Sequence, residues 1–421
     1  MKRHFDLISI IAIVLFGPFF VFPKERWNWI LLLVMSILFL CRLIIERRFL
    51  PKTPIDTAVA LLLGAAFAGV LIIKDVGEST GKLAGLVYGI VVFYALIEAI
   101  KTPIRLKIAV LLFIAAGLIL AVVGRLDRLN KEEPFFESVE SKMPKLLKIK
   151  IGLSGAEAGV NPNAQGGVLL LFIPIGLIQI PLLVKKKNEY TSPQIRGVEF
   201  GVIIVVLAIQ AIAIILSISF GTWFALAVAL WLMGEWKRPV KAIIAGVFLS
   251  FVFFFFMRTS AQVLNEREKI SGAINYSVKN RVAIWKNGLK IANAHPVFGI
   301  GMDQLRRTKK FKYEDSHAHN QFLHTAAELG IPGLIGYMAI LIGVFWMAKE
   351  VRRSALPEWM RLTSRGLGTG IFAFTLFGLG DAIPLGAKPG IFFWISLAMI
   401  TSIYLFGRDN GFMAQSKKQT N

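Results

Sequence analysis

The chemistry in this chain is concentrated around His319. Asn320 follows it, and nine residues separate Asn320 from Gly330-Ile331-Pro332-Gly333. An imidazole with a pKa near ~6.5 is mostly neutral at physiological pH, so it can take a proton from a hydroxyl as that hydroxyl attacks. The simpler alternative is an interfacial histidine that only caps a helix. Upstream, Arg281 offers the forked donors that suit phosphate oxygens, although an arginine at a membrane surface also suits a lipid headgroup. The spacing His317-x-His319 allows a metal pair, with His324 and a carboxylate to complete it. Zinc sites need three or four converging ligands, and helix phase does not bring these together. The site is therefore expected to contain no metal and no cofactor.

These residues need something to hold them, and composition says what. The chain has 421 residues, 55% of them hydrophobic, with a mean hydropathy of +0.64. A soluble domain cannot bury that much apolar surface. The apolar runs recur at about 20 residues, the helical length that crosses a bilayer core. The expected fold is an all-α polytopic membrane protein of about twelve spans. They lie near 5–22, 27–45, 55–73, 81–100, 104–124, 164–184, 198–217, 220–234, 239–257, 327–348, 363–383 and 389–407. The first run has no small-residue cleavage site after it and reads as a retained span. The lone cysteine, Cys41, excludes an internal disulfide framework. The organisation follows: a bundle over 1–257 with an outer loop at 125–163, a large outer loop over 258–326, further spans over 327–407, and a polar tail at 408–421 that is expected to be disordered.

The net charge of +22 invites a nucleic-acid reading, but the basic residues form no single patch. With the N-terminus cytoplasmic, 24 of the 48 Lys and Arg fall on the inner segments and only five on the short outer loops. That satisfies the positive-inside rule with both termini in the cytoplasm, and no nucleic-acid partner is expected. The loop at 258–326 is different: it holds twelve basic residues against five acidic ones. Topology does not explain this excess. A phosphate or diphosphate ligand would, and so would anionic lipid headgroups.

Within that loop, Lys279 to Ala294 reads as an amphipathic helix with Val282, Trp285, Leu289 and Ala292 on its apolar face. It could lie in the membrane interface or pack on the bundle. His295-Pro296 ends it, and Gly299-Ile300-Gly301 makes a tight turn. Outside the loop, Glu98 is expected to snorkel, Glu328 to cap or pair structurally, and Asp381 to be a possible acceptor contact at the outer end of its span.

Together, Arg281-x-x-x-Trp285, His295-Pro296-Val297-Phe298-Gly299-Ile300-Gly301 and His319-Asn320-(nine residues)-Gly330-x-x-Gly333 resemble the O-antigen ligase and O-antigen polymerase superfamily. Asn161-Pro162-Asn163 is similar to a further motif of that family. The resemblance implies a glycosyltransferase-C-like bundle of about twelve helices with one large periplasmic loop, in the bacterial inner membrane. It implies transfer of a glycan from undecaprenyl diphosphate to a hydroxyl, without a metal. The acceptor would be lipid A-core in a ligase, the favoured branch, or another lipid-linked repeat in a polymerase. It maps the family's functional histidine onto His319 and its loop arginine onto Arg281. Asn320, His317 and Arg306 become candidate substrate contacts. Many members carry an arginine in a Ser-Arg-Gly-like turn, where this chain has Ser219-Phe220-Gly221. Arg258, at the outer end of the ninth expected span, is the candidate replacement.

The residues suit that reaction. Glycosidases need two carboxylates because an alkoxide must be protonated as it leaves. A diphosphate leaves without protonation, so one base and cations suffice. A transporter of lipid or polysaccharide is the reading from another class, but the repeated halves typical of transporters are not evident in the sequence.

Overall fold

The computed structural model describes residues 51–73, 79–132, 162–185, 193–217, 219–233, 267–308 and 317–413. Every regular element among them is helical. The α-helices are α1 (Asp56–Val70), α2 (Thr80–Ala99), α3 (Pro103–Glu132), α4 (Pro162–Leu169), α5 (Ile173–Lys185) and α6 (Pro193–Leu216), followed by α7 (Phe220–Met233), α8 (Arg267–Ala294), α9 (Gln321–Arg353), α10 (Glu358–Phe377) and α11 (Ile391–Asp409).

Helices occupy nine of the twelve expected spans. The other three, at 5–22, 27–45 and 239–257, lie outside the described residues, as does Arg258. Among the described residues, six segments are long and apolar enough to cross a bilayer: α2, Pro103–Gly124 of α3, Asn163–Ile180, Glu199–Leu216, α9, and Lys388–Asp409. Two apolar helices are shorter, Asp56–Val70 and Phe220–Leu232. At 1.5 Å per residue the 15 residues of α1 reach only about 22 Å.

The outward faces are apolar. On α3, Ile104, Ile108, Leu111, Leu112 and Ile119 are exposed, while Leu106, Val110, Phe113 and Ile114 are buried. A helix that is apolar on both its packed and its open face belongs in lipid.

Helix–helix approach uses small residues, as membrane bundles do. A Cβ at Gly336 of α9 would come within 2.8 Å of Leu62 N on α1. On α10, Gly366 faces the first turn of α5 and Gly370 the irregular stretch between α4 and α5, where a Cβ at Gly370 would sit 2.8 Å from Leu171 O. Trp394 of α11 fills a slot opened by Gly89 of α2.

The two ends of the bundle differ. At one end Lys107 stacks on Trp359, Lys101 pairs with Glu98, and Ala355 N–H bonds Phe412 O. The expected inner basic residues Lys101, Arg105, Lys107, Arg352, Arg353 and Arg408 are at this end. The start of α2, the 295–308 segment, the start of α9 and the turn after α10 meet at the other.

Three details differ from expectation. Helix α3 runs to Glu132, past the expected loop start at 125. The tail folds back through Met413, with Phe412 stacked on Phe406. Helix α8 begins at Arg267, and its buried side shares only Trp285 and Ala292 with the expected one. Val282 and Leu289 are 42% and 54% exposed, whereas Ile284, Gly288, Ile291 and Ala292 are buried and Trp285 half-buried. Both stripes have helical spacing. Gly288 decides between them, because it admits Leu323 of α9, whose Cδ2 lies 3.0 Å from the position of a Cβ there.

Candidate active site

The site is built on a break in α9. Pro332 has no N–H and its ring crowds the carbonyl one turn back, so Glu328 O loses its helical partner. Gly330 adopts φ 70 and ψ −175, a conformation essentially reserved for glycine, and kinks the helix. The freed groups are taken up by the 295–301 segment. Ile300 N–H bonds Ala327 O at 2.9 Å, Gly301 N–H bonds Glu328 O at 2.9 Å, and Ile331 N–H bonds Pro296 O at 2.7 Å. Packing is tight enough to exclude side chains. A Cβ at Gly299 would lie 2.3 Å from the Glu328 carbonyl carbon, and one at Gly330 would lie 2.4 Å from Val297 O. The two glycine motifs noted in the sequence are therefore the two halves of one clamp.

A second polar cluster anchors that clamp to α2. Lys82 Nζ and Arg306 Nη2 lie 3.4 and 2.6 Å from the carboxylate oxygens of buried Asp303. The Ser79 hydroxyl donates to Met302 O at 2.5 Å, and Gln304 Nε2 donates to Ser79 Oγ at 2.9 Å. Glu328 lies 3.2 Å from His324 and accepts from Leu305 N at 3.4 Å. Glu328 is thus structural, as expected. Arg306 is ion-paired here, and His324 faces Glu328 instead of joining the other histidines.

His319 sits just before α9. Asn320 is the N-cap: its Oδ1 accepts from Leu323 N at 2.9 Å, and its Nδ2 donates to Leu379 O at 3.0 Å. Gln321 N–H donates to Gly378 O at 2.7 Å. These bonds fasten the start of α9 to the turn after α10. Trp285 of α8 adds a third support by donating its indole N–H to His319 O at 3.1 Å. They hold His319 at φ 47, in the left-handed region that costs a non-glycine residue about 1–2 kcal/mol.

That turn carries Asp381. Its Oδ1 lies 2.8 Å from His317 Nε2 and 3.0 Å from His319 Nδ1, and accepts from Ala382 N at 2.8 Å. The two imidazole centroids are 4.4 Å apart. Only 8% of the Asp381 side chain is exposed, against 17% for His317 and 15% for His319. Burial pushes the Asp381 carboxyl up, but hydrogen bonds and charge from His317 and His319 outweigh it and hold the group well below the usual carboxylate range. Burial drives the His317 imidazole down, and its bond to Asp381 offsets this only in part. An ionised carboxylate at His319 Nδ1 fixes the proton there and leaves the lone pair on Nε2. That is the arrangement of a histidine base oriented by an acid.

Of the sequence candidates, His317 and His319 meet at one carboxylate, and Asn320 caps the helix beside them. Half-buried Arg281 lies one turn before Trp285, on the face of α8 that reaches His319. Phe220 is 41% exposed and packs edge-on against Trp223. Its turn lies at this same end, because neighbouring Gly221 faces Phe377, the last residue of α10. Asp381 was legible only as a residue within possible reach. Nothing local links it to histidines 62 and 64 positions away.

No curated protein matches the chain. A family model does: residues 203–338 match that of the O-antigen ligases. The match covers Arg281, both halves of the clamp, His317, His319 and Asn320, and stops short of Asp381. Over residues 203–338, this membrane protein is similar to the O-antigen ligase family.

Proposed function

We propose that the protein transfers a glycan from undecaprenyl diphosphate to a hydroxyl of lipid A-core, without a metal, using His319 as general base. The observation that carries this is the 3.0 Å contact of His319 Nδ1, in the stretch that matches the ligase family, with Asp381 beyond it. The acceptor hydroxyl gives its proton to His319 Nε2 as its oxygen attacks the anomeric carbon. The bond from that carbon to the diphosphate oxygen breaks, and undecaprenyl diphosphate leaves with the electron pair. Asp381 stabilises the imidazolium that forms. Arg281 stabilises charge growing on the diphosphate. Arg258 and Arg306 are further candidates for the anionic donor, and His317 and Asn320 for its sugar or the acceptor.

The reaction is placed at the periplasmic face of the inner membrane, with both termini cytoplasmic. Support comes from the distribution of charge: Lys101, Arg105, Lys107, Arg352, Arg353 and Arg408 lie at one end of the bundle, and His317 and His319 at the other. The alternative is a polymerase using the same donor and base.

Purified protein in detergent, given the lipid-linked glycan and lipid A-core in the presence of EDTA, tests the assignment. Glycan on lipid A-core is the expected product. A lengthening ladder on the carrier, with lipid A-core untouched, would make the protein a polymerase.

A further inference from the structure

His317 Nε2, His319 Nδ1 and a carboxylate oxygen of Asp381 all lie within 4.8 Å of one another. We propose that these three atoms form an inhibitory site for a divalent transition-metal ion of the zinc class. Two imidazoles and one carboxylate are a donor set that such ions favour, with a coordination position left open. The spacing is close to what the ion needs. Bonds of about 2.0–2.1 Å in a tetrahedron set ligand atoms ~3.3 Å apart, and here the two nitrogens stand 2.8 and 3.0 Å from Asp381 Oδ1. An ion would part each nitrogen from Oδ1 by a few tenths of an ångström and draw ligand atoms that already lie within 4.8 Å of one another to that spacing. It is also preformed: the segment before α9 and the turn after α10 are tied through Gln321 N–H to Gly378 O and Asn320 Nδ2 to Leu379 O. Ala382 N–H, bonded to Asp381 Oδ1, supplies an outer support for the carboxylate.

The inhibitory effect rests on the reading of His319 as the base. A neutral imidazole binds a metal through its unprotonated nitrogen. If the metal takes Nδ1 of His319, the ring proton must sit on Nε2. That tautomer cannot accept the acceptor's proton, so the ion switches the base off without covering the donor site. No net proton is released, because the proton moves from one ring nitrogen to the other.

The test uses the full chain in detergent, stripped with EDTA and desalted, with Zn2+ binding read by competition against a chelating dye. Cobalt substitution reports the coordination geometry through its visible bands. One zinc per chain is expected. His317→Ala and Asp381→Ala should weaken binding more than ~100-fold, beyond the loss of an outer-shell partner. His317→Gln keeps a donor for Asp381 but loses the imidazole ligand, so it should fail as well while unfolding at the wild-type temperature. Transfer should fall in proportion to occupancy and return with EDTA. Absence of stoichiometric binding, binding unchanged in these variants, or full activity at saturating zinc would overturn the proposal. Binding needs no glycan. Zinc held by a protein that transfers nothing under any condition would support the site and sink the transferase reading.

Discussion

Asp381→Asn isolates the charge that organises the two histidines. Asp381 Oδ1 accepts from Ala382 N and faces His317 Nε2 and His319 Nδ1, all within 3.0 Å. Asparagine keeps the shape and can still accept, but without charge. A hydrogen bond to a charged group contributes about 1.5–3 kcal/mol, against about 1 kcal/mol for a neutral one. The change therefore costs about 1 kcal/mol at His319 Nδ1. The larger loss comes as His319 takes the acceptor's proton. Unit charges centred about 4 Å apart attract by about 4 kcal/mol at an effective dielectric of 20. With the proton half transferred, about 2 kcal/mol of that is lost. The sum of about 3 kcal/mol slows transfer by roughly 100-fold. If the amide turns its NH2 toward His319 the wrong tautomer is enforced, and the loss approaches about 10^4-fold. Single-turnover transfer, with donor affinity measured separately, is the assay. The loss should fall on the rate and leave affinity alone, and adding Asp381→Asn to His319→Ala should cost nothing further. A loss below about tenfold, or one confined to affinity, would refute the reasoning.

The clamp makes its own prediction. Gly330→Ala forces a Cβ to 2.4 Å from Val297 O at φ 70, so it should destabilise by about 3 kcal/mol or more and lower the unfolding temperature in detergent. Asn320→Asp keeps the cap on Leu323 N but turns the contact with Leu379 O repulsive. It should slow transfer while preserving most stability, whereas Asn320→Ala should also lose about 1 kcal/mol of cap energy. Stability should fall with acid in two stages. His317 is held below its unfolded value of about 6.5, so its contribution is complete above that pH and lost as the pH drops toward the lowered native value. Asp381, also depressed, contributes above its unfolded value of about 3.9 and erodes only below it. Thermal unfolding from neutral to acid pH checks this, and His317→Gln should remove the first stage.

Much of this arrangement was legible from residue type and spacing. His319, Arg281 and the two glycine motifs carry their chemistry locally, and the apolar runs announce a membrane bundle. The sequence could not show that His295–Gly301 and Gly330–Gly333 hydrogen-bond each other, because their pairing depends on a helix break satisfied from another segment. His317 reads as a substrate contact or half of a metal pair until Asp381 arrives from a different helix end. Arg306 reads as a free cation, whereas the left-handed turn at Asp303 brings a buried carboxylate back to it. The face of α8 reads only half right, for Trp285 and Ala292 but not Val282 and Leu289, because two apolar stripes fit the same period and only the close approach of Leu323 at Gly288 selects one.

Transfer by His319→Ala, measured in single turnovers at saturating donor, bears most directly on the assignment of the base. Donor binding should be close to wild type while transfer falls by at least about 10^2–10^4-fold, the contribution of a positioned base. A variant that transfers within about tenfold of wild type would show that His319 plays only a structural part beside Asp381 and that the base lies elsewhere.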